Sequence, residues 1–250
     1  MKFTKSMATP LVPLLILGGM GALVWMLQSP QNSYPPSAPK AIGWEMEEIS
    51  PGENGKLPAG WEAPRGNFVM ETKDGKSVVS LQPEPMVEGR IILQKLLRGG
   101  GGIRARLSGE RAPRAFPRFG VGLQGKLASA GESKESTFQL RATPGLKKLE
   151  FIEQFAEQDH ARAEAPWTWR EGVPLWLEIR AQSAAEGCAL EGRAWAEGEP
   201  RPEAASISLT VPLNPSLMKA TIHATPFALK PVLIEKVERI SAGAAAADES

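Results

Sequence analysis

The sequence predicts an all-β domain, a two-sheet antiparallel jelly-roll sandwich, preceded by one N-terminal transmembrane helix. Several short stretches alternate between apolar and polar residues, which is the pattern of half-buried strands. Turn-forming residues separate these stretches, and the 250 residues include 25 glycines and 22 prolines, as short strands joined by many turns require. A separate, continuous apolar run lies near the N-terminus.

The N-terminal region carries the pattern of a membrane anchor. Lys2 and Lys5 precede an apolar run at 11–27, which reaches the lower end of the length that a spanning helix needs. Positive charge before such a run favours a cytoplasmic N-terminus, so we expect residues 1–10 to be cytoplasmic and the chain after the anchor to be periplasmic or extracellular, outside a bacterial-type membrane. A cleaved signal peptide is the alternative, but the residues at 28–31 fit a cleavage site poorly.

The remainder of the chain divides into a spacer, a domain and a tail. Residues 28–42 contain four prolines together with serine and asparagine, which predicts an extended, semi-rigid spacer. Residues 43–241 hold the alternating stretches and no internal repeat, so they are predicted to form one β-sandwich domain. Residues 242–250 are small and polar, and are predicted to be a flexible tail.

The apolar members of the alternating stretches identify the expected core. The predicted core residues are Ile103, Leu107, Phe119, Val121, Phe138, Leu140, Leu177, Ile179, Leu190, Leu209, Ile222 and Ile234. One segment, 149–160, fits neither period cleanly, because Leu149, Ile152 and Phe155 follow a helical spacing. Its conformation stays undecided at the level of the sequence.

Composition argues against several kinds of site. Lys and Arg (29) nearly balance Asp and Glu (28), so no overall field attracts a charged partner. The only cysteine, Cys188, cannot form an internal disulfide or a cysteine metal site, and is predicted to be a small core residue. His160 and His223 are far apart in sequence and belong to no metal or Ser-His-Asp pattern, so no metal and no cofactor is predicted.

The sequence contains one acidic run and one basic stretch, and each has two interpretations. The acidic run at 45–48 lies at the edge of the domain and is interpreted as solvated rather than catalytic. The arginines and lysine between Arg90 and Arg118 are either the polar faces of strands with a loop, or a site for anionic lipid headgroups or an acidic or sulfated polymer. Nucleic acid is not an expected partner, because the domain is expected to be exported and aromatic residues are not interleaved with the basic ones.

The register of one predicted hairpin indicates which face of the domain could bind a ligand. The strands at 175–181 and 188–195 are joined by a short loop, so they should pair antiparallel with their apolar residues inward. One allowed register pairs two aromatics and two couples of opposite charge, whereas a shift by two residues would oppose Glu178 and Glu191. The favoured pairs are Trp176 with Trp195, Glu178 with Arg193, and Arg180 with Glu191.

These outward residues form the candidate site. A sugar could stack on the tryptophan pair, and His223 is expected on a neighbouring strand. The candidate ligand-binding residues are Trp176, Glu178, Arg180, Arg193, Trp195 and His223, and no catalytic residue is predicted. The alternative is that a loop covers the tryptophan pair, which then completes a second small core and binds nothing.

The segment Gly192–Pro202, which reads GRAWAEGEPRP, resembles a motif of the concanavalin A-like, laminin-G-like jelly-roll domains of bacterial membrane-anchored or periplasmic proteins. In that family a W-x-L-x-I/L strand, here at 176–179, leads to G-K-x-W-x-x-G-x-x-E-P. The FGVGL strand at 119–123 and the closing segment at 225–237 are also similar to the family, and the resemblance spans about 67–237. Glu235 departs from the Asp that the family often has, so no calcium role is inferred there.

The resemblance implies a binding role. Such domains often accompany quinoprotein-like propellers or sugar-active modules. We therefore expect a non-catalytic, membrane-anchored, extracytoplasmic binding domain for carbohydrate or a protein partner. A structural accessory subunit of a membrane or periplasmic complex is the alternative, and a glycoside-processing enzyme is a second one. The Glu-x-Asp-x-x-Glu strand of related glucanases does not occur in this sequence.

Overall fold

A computed structural model describes residues 43–84, 87–127, 134–156, 158–185, 187–227 and 229–241. The anchor predicted at 11–27, the spacer at 28–42 and the tail at 242–250 lie outside these ranges. Among the residues within them, no helix has the length and apolar character that a bilayer crossing requires.

Strands make up most of the described chain. In order they are β1 (Glu45–Glu47), β2 (Trp61–Arg65), β3 (Phe68–Lys73), β4 (Lys76–Leu81), β5 (Gly89–Leu97), β6 (Gly101–Gly109), β7 (Arg118–Leu127), β8 (Glu135–Thr143), β9 (Lys148–Phe155), β10 (Gln158–Pro166), β11 (Leu175–Ala184), β12 (Gly187–Ala196), β13 (Ile207–Val211), β14 (Leu213–Thr225) and β15 (Val232–Ser241). Two single-turn 3-10 segments lie at Glu53–Gly55 and Pro144–Leu146.

The strands form two antiparallel sheets. An eight-stranded sheet has the order β13-β12-β11-β6-β15-β4-β3, with β1 also pairing to β15. A seven-stranded sheet has the order β10-β9-β8-β7-β14-β5-β2. Many strands that pair in these sheets are far apart in sequence, as the long connections of a jelly roll require. The predicted two-sheet antiparallel sandwich is therefore confirmed.

The core lies between the two sheets. Eleven of the twelve predicted core residues are buried there, and the thiol of Cys188 is fully buried among them, as predicted. Leu209 is only partly buried, because it lies on β13, which forms the edge of the eight-stranded sheet. Burial raises the pKa of the Cys188 thiol to about 11, so it stays protonated.

The segment that the sequence left undecided forms the hairpin β9–β10. Leu149 and Phe151 alternate into the core, and Ala156 takes a left-handed conformation, φ 49°, in the turn. Ile152 breaks the apparent strand period because it is buried on the other face of the sheet, opposite Gln139 and Ala161. Burial on both faces explains why the apolar spacing resembled that of a helix.

Candidate functional site

The tryptophan hairpin has the predicted register. The cross-strand pairs of β11 and β12 are Trp176 with Trp195, Glu178 with Arg193, and Arg180 with Glu191. The two indole rings are stacked, with centroids 5.9 Å apart and planes 7° from parallel. All of these residues alternate with core residues, so they lie on the outward face of the eight-stranded sheet.

A segment that follows β12 occupies this face. The indole Nε1 of Trp176 donates a hydrogen bond to Glu197 at 2.6 Å. Arg201 Nε donates to Glu178 at 2.7 Å, and Trp195 retains only 8% of its accessible surface. The geometry thus favours the alternative in which the tryptophan pair packs as a small second core.

Ion pairs fill the row beside the tryptophans. Glu178 is fully buried between Arg193 and Arg104 on the neighbouring strands, and Arg104 in turn bonds to Glu238. Burial alone would raise the pKa of Glu238, but hydrogen bonds from Lys236 and Arg104 hold that pKa below its ordinary value. Charges of alternating sign therefore form ion pairs across four strands of this face.

His223 does not join the tryptophan pair. It lies on β14, and the chain crosses from the eight-stranded to the seven-stranded sheet between β13 and β14. Its side chain is therefore on the opposite outer face of the sandwich. The expectation that His223 neighbours Trp176 and Trp195 is wrong for this topological reason.

The basic stretch between Arg90 and Arg118 is also divided between the sheets. Arg104 and Arg106 lie on β6 of the eight-stranded sheet, where Arg106 Nε is 3.3 Å from a carboxylate oxygen of Glu197. Arg111 pairs with Glu171, whereas Arg90 lies on β5 of the seven-stranded sheet. These arginines therefore do not form one basic patch.

A polar cleft of about 300 Å³ opens on the outward face of the seven-stranded sheet. Strands β2, β5, β7, β8, β9 and β14 contribute to its walls. The residues that matter most for its chemistry are Arg65, Glu88, Arg90, Gln124, Glu135 and His223. Among them, His223 was a predicted ligand-binding residue, and Arg90 belonged to the basic stretch that the sequence offered as an alternative anion site.

Two glycines of β7 leave space for neighbouring side chains at the middle of this face. Gly120 and Gly122 occupy outward positions, so the side chain of Gln139 lies over Gly120 and the hydroxyl of Thr221 lies over Gly122. A Cβ at Gly122 would be 2.6 Å from Thr221 Oγ1. The FGVGL sequence, whose glycines face outward between strands with polar outward positions, was thus a signal for this site. It did not show which strands lie beside β7.

Glu88 connects the polar side chains at the centre of the face. It accepts hydrogen bonds from Gln139 Nε2 at 3.1 Å and Gln154 Nε2 at 2.9 Å. His223 Nδ1 lies 3.6 Å from the same carboxylate, and His223 Nε2 is 2.9 Å from Thr221 Oγ1. Burial lowers the pKa of His223 to about 4, although Glu88 opposes the shift, so the ring is neutral at pH 7.

Several buried polar atoms at this face have no hydrogen-bond partner among the described residues. They are Arg90 Nε, Gln124 Oε1, Gln139 Oε1, Arg141 Nε and His223 Nδ1. A buried polar atom without a partner costs about 1–3 kcal/mol, and native proteins leave few of them. All of these atoms lie beneath the lining of the cleft, so a polar ligand contacts them only when lining side chains move.

The ranges that the structure describes contain no group of three or more His, Cys, Asp and Glu side chains that could hold a metal ion. Glu235, where the resembling family often has Asp, accepts hydrogen bonds from Lys73 at 2.7 Å and from Ser108 at 2.5 Å. Despite its burial, these contacts hold the pKa of Glu235 below its ordinary value. Glu235 is thus an ion-paired residue of the eight-stranded sheet.

Comparison with solved structures identifies the fold. The carbohydrate recognition domain of Emp47p matches with a TM-score of 0.50 and 8% identity, covering 79% of this chain and 97% of that one. The exoplasmic/lumenal domain of VIP36 matches with a TM-score of 0.50 and 12% identity, covering 73% and 84%. Peanut lectin matches with a TM-score of 0.51 and 7% identity, covering 80% and 97%.

These likenesses concern the backbone. A search against protein-family profiles finds no match, and a search of curated proteins finds none either. Identities of 7–12% show a shared fold and nothing more specific. The sandwich formed by this chain therefore has the concanavalin A-like, legume-lectin-like jelly-roll fold that the sequence motifs resembled.

Proposed function

We propose that this protein is a non-catalytic, membrane-anchored binding domain that recognises carbohydrate outside the cytoplasm. The observation that carries the proposal is the polar cleft on the outward face of the seven-stranded sheet. Sugar hydroxyls both donate and accept hydrogen bonds, so they match the guanidinium, carboxylate and amide groups that line the cleft. The fold adds support, since VIP36 was solved in a Ca2+/Man3GlcNAc-bound form.

The anchor is part of the proposal on sequence grounds alone. The apolar run at 11–27 behind Lys2 and Lys5 would hold the chain in the membrane. The proline-containing spacer at 28–42 would then hold the sandwich away from the lipid surface, where its cleft can reach a glycan.

Glycan binding by the purified full-length chain tests the proposal. A glycan array identifies the best ligand, and calorimetry measures its affinity for the natural protein and for Gln124→Leu, which removes a polar side chain from the lining of the cleft. We expect Gln124→Leu to weaken binding about tenfold, because a hydrogen bond in a desolvated cleft is lost. The matched control is Gln182→Leu, an exposed glutamine of β11 on the other sheet, which should bind like the natural protein.

Two results would contradict carbohydrate binding in the cleft. One is the absence of any glycan ligand, and the other is equal affinity in the natural, Gln124→Leu and Gln182→Leu proteins. A protein that co-purifies from membranes and is retained by both variants would instead favour the accessory-subunit alternative.

Turnover separates a binding domain from a glycoside-processing enzyme. The cleft contains two carboxylates, and both are engaged by amides: Glu88 by Gln139 and Gln154, and Glu135 by Gln124 at 3.0 Å. We expect the best ligand to be recovered intact after prolonged incubation with the protein. Hydrolysis that disappears in Glu88→Gln or Glu135→Gln would overturn the non-catalytic assignment.

A further inference from the structure

Two arginines lie side by side at the cleft. Arg65 on β2 is the direct cross-strand partner of Arg90 on β5, and both line the cleft. Like charges directly opposite each other destabilise a sheet. Within the part of the chain that the structure describes, neither guanidinium forms an ion pair, and the buried Nε of Arg90 has no hydrogen-bond acceptor.

Some other arginines on the outward faces are paired with carboxylates, whereas Arg118 on β7 lies over the ring of Phe227 at 4.7 Å. Arg141, on the same face as the cleft, bonds to Asp159 at 2.6 Å, and Arg104 on the opposite face bonds to Glu238. Arg65 and Arg90 differ from these arginines because they are direct cross-strand partners and both line the cleft. A bound anion would remove the repulsion between them.

We propose that Arg65 and Arg90 bind the acidic group of a sugar, so that the cleft selects acidic carbohydrate over neutral carbohydrate. The acidic group is a carboxylate, as in a uronic acid, or a sulfate ester. Two adjacent guanidinium groups present forked N–H donors, which match an anion that has two or more oxygens. This inference rests on the proposed carbohydrate binding.

The remaining charges of the cleft orient such a sugar. Glu88 and Glu135 are negative and already accept amide hydrogen bonds, so they repel an acidic group from their own part of the cleft. They still accept further hydrogen bonds from hydroxyl groups. An acidic sugar thus binds to both parts of the cleft at once. Its anionic group contacts Arg65 and Arg90, and its hydroxyl groups donate hydrogen bonds to the carboxylates.

The test compares charged and neutral forms of the same sugars. A panel of uronic-acid oligosaccharides is measured beside their carboxyl-reduced counterparts, and sulfated oligosaccharides beside their desulfated counterparts. Calorimetry uses the full-length chain in a sugar-free detergent at physiological ionic strength. We expect an acidic member to bind about tenfold more tightly than its neutral counterpart, and the series in which this occurs distinguishes carboxylate from sulfate.

Variants assign the preference to the two arginines. Arg65→Gln and Arg90→Gln should each weaken binding of the acidic sugar about tenfold and change binding of its neutral counterpart less than about twofold. The control is Arg98→Gln, an exposed arginine that follows β5 outside the cleft, and it should change neither affinity. Melting temperatures at or above that of the natural protein show that the variants are folded, because each cleft variant removes the repulsion between the two arginines.

The possible failures are distinguishable. If neutral sugars bind as tightly as acidic ones and Gln124→Leu still weakens them, the acidic preference is wrong and carbohydrate binding stands. The preference is equally wrong if Arg98→Gln weakens the acidic sugar as much as the cleft variants do, because the attraction is then unspecific. If no sugar binds, both proposals fail.

Discussion

His223 couples the stability of the fold to pH. Its pKa is lowered to about 4 by burial, from an ordinary value of 6.5, so the folded protein keeps the ring neutral where the unfolded chain protonates it. The unfolded state binds more protons between these two values. The stabilisation that comes from keeping His223 neutral is therefore complete above pH 6.5. As the pH is lowered towards 4, the free energy of unfolding falls by up to about 3 kcal/mol.

Urea unfolding at pH 7.0, 5.5 and 4.5 measures this dependence. The variant His223→Gln should lose most of the pH dependence in this window, whereas His160→Gln, an exposed histidine of β10, should keep it. Glu150 and Asp159 have lowered pKa values despite their burial, so their contribution is lost only at lower pH, below their ordinary values of 4.5 and 3.8. If the free energy of unfolding of His223→Gln still falls as the pH is lowered through this window, then another group is responsible for the pH dependence.

Gly120 offers a way to change the cleft without unfolding the sheet. A Cβ at this position would meet the end of the Gln139 side chain, which can move, whereas a Cβ at Gly102 would lie 2.5 Å from the backbone oxygen of Ile179. We expect Gly120→Ala to displace Gln139 from Glu88 and weaken sugar binding while the free energy of unfolding changes by less than about 1 kcal/mol. Gly102→Ala should cost about 1–3 kcal/mol, because a strand must shift.

Calorimetry and urea unfolding on the two alanine variants compare these effects. If Gly120→Ala binds sugar like the natural protein, then the Gln139–Glu88 contact does not shape the cleft. If it unfolds as easily as Gly102→Ala, the side chain of Gln139 is held more rigidly than its position suggests.

At the scale of elements, the β11–β12 hairpin and the segment that crosses it depend on Glu178. This carboxylate is fully buried and holds Arg193 Nη1 at 3.4 Å and Arg201 Nε at 2.7 Å. Replacing it by alanine removes one of the two carboxylates that contact the buried Arg193, which keeps Glu191 at 3.0 Å, and it releases Arg201. We expect Glu178→Ala to lower the free energy of unfolding by about 3–5 kcal/mol.

Glu171→Ala provides the matched comparison in the same denaturation experiment. Glu171 pairs with Arg111 at 2.6 Å, but both side chains are about half exposed, so the loss should stay below about 1 kcal/mol. Equal losses in the two variants would mean that burial of the Glu178 cluster adds nothing to stability.

At the scale of the whole molecule, topology at the membrane follows from the predicted anchor. Alkaline phosphatase fused after Ser241 should be active, because this enzyme needs export, and a cytoplasmic reporter fused there should be inactive. The control is the same fusion without residues 11–27, which should lose phosphatase activity. Active cytoplasmic reporter and inactive phosphatase on the intact chain would show that the sandwich lies in the cytoplasm.

The sequence by itself determined the sandwich, most of its core and the hairpin register. These properties depend on local patterns, since a period of two assigns Leu177 and Ile179 to one face and a short loop brings β11 beside β12. The same local reasoning could not settle 149–160, because burial of Ile152 on the outer face depends on β8 and β10.

Only the tertiary structure decided the location of the cleft and what covers the tryptophans. The cleft requires β14 to lie between β7 and β5, which brings His223 beside Gly120 and Arg90 although more than a hundred residues separate it from each of them. The crossing between β13 and β14 places His223 on the sheet opposite Trp176. Such long-range pairings minimise the free energy of the whole chain, so no stretch of sequence contains them by itself.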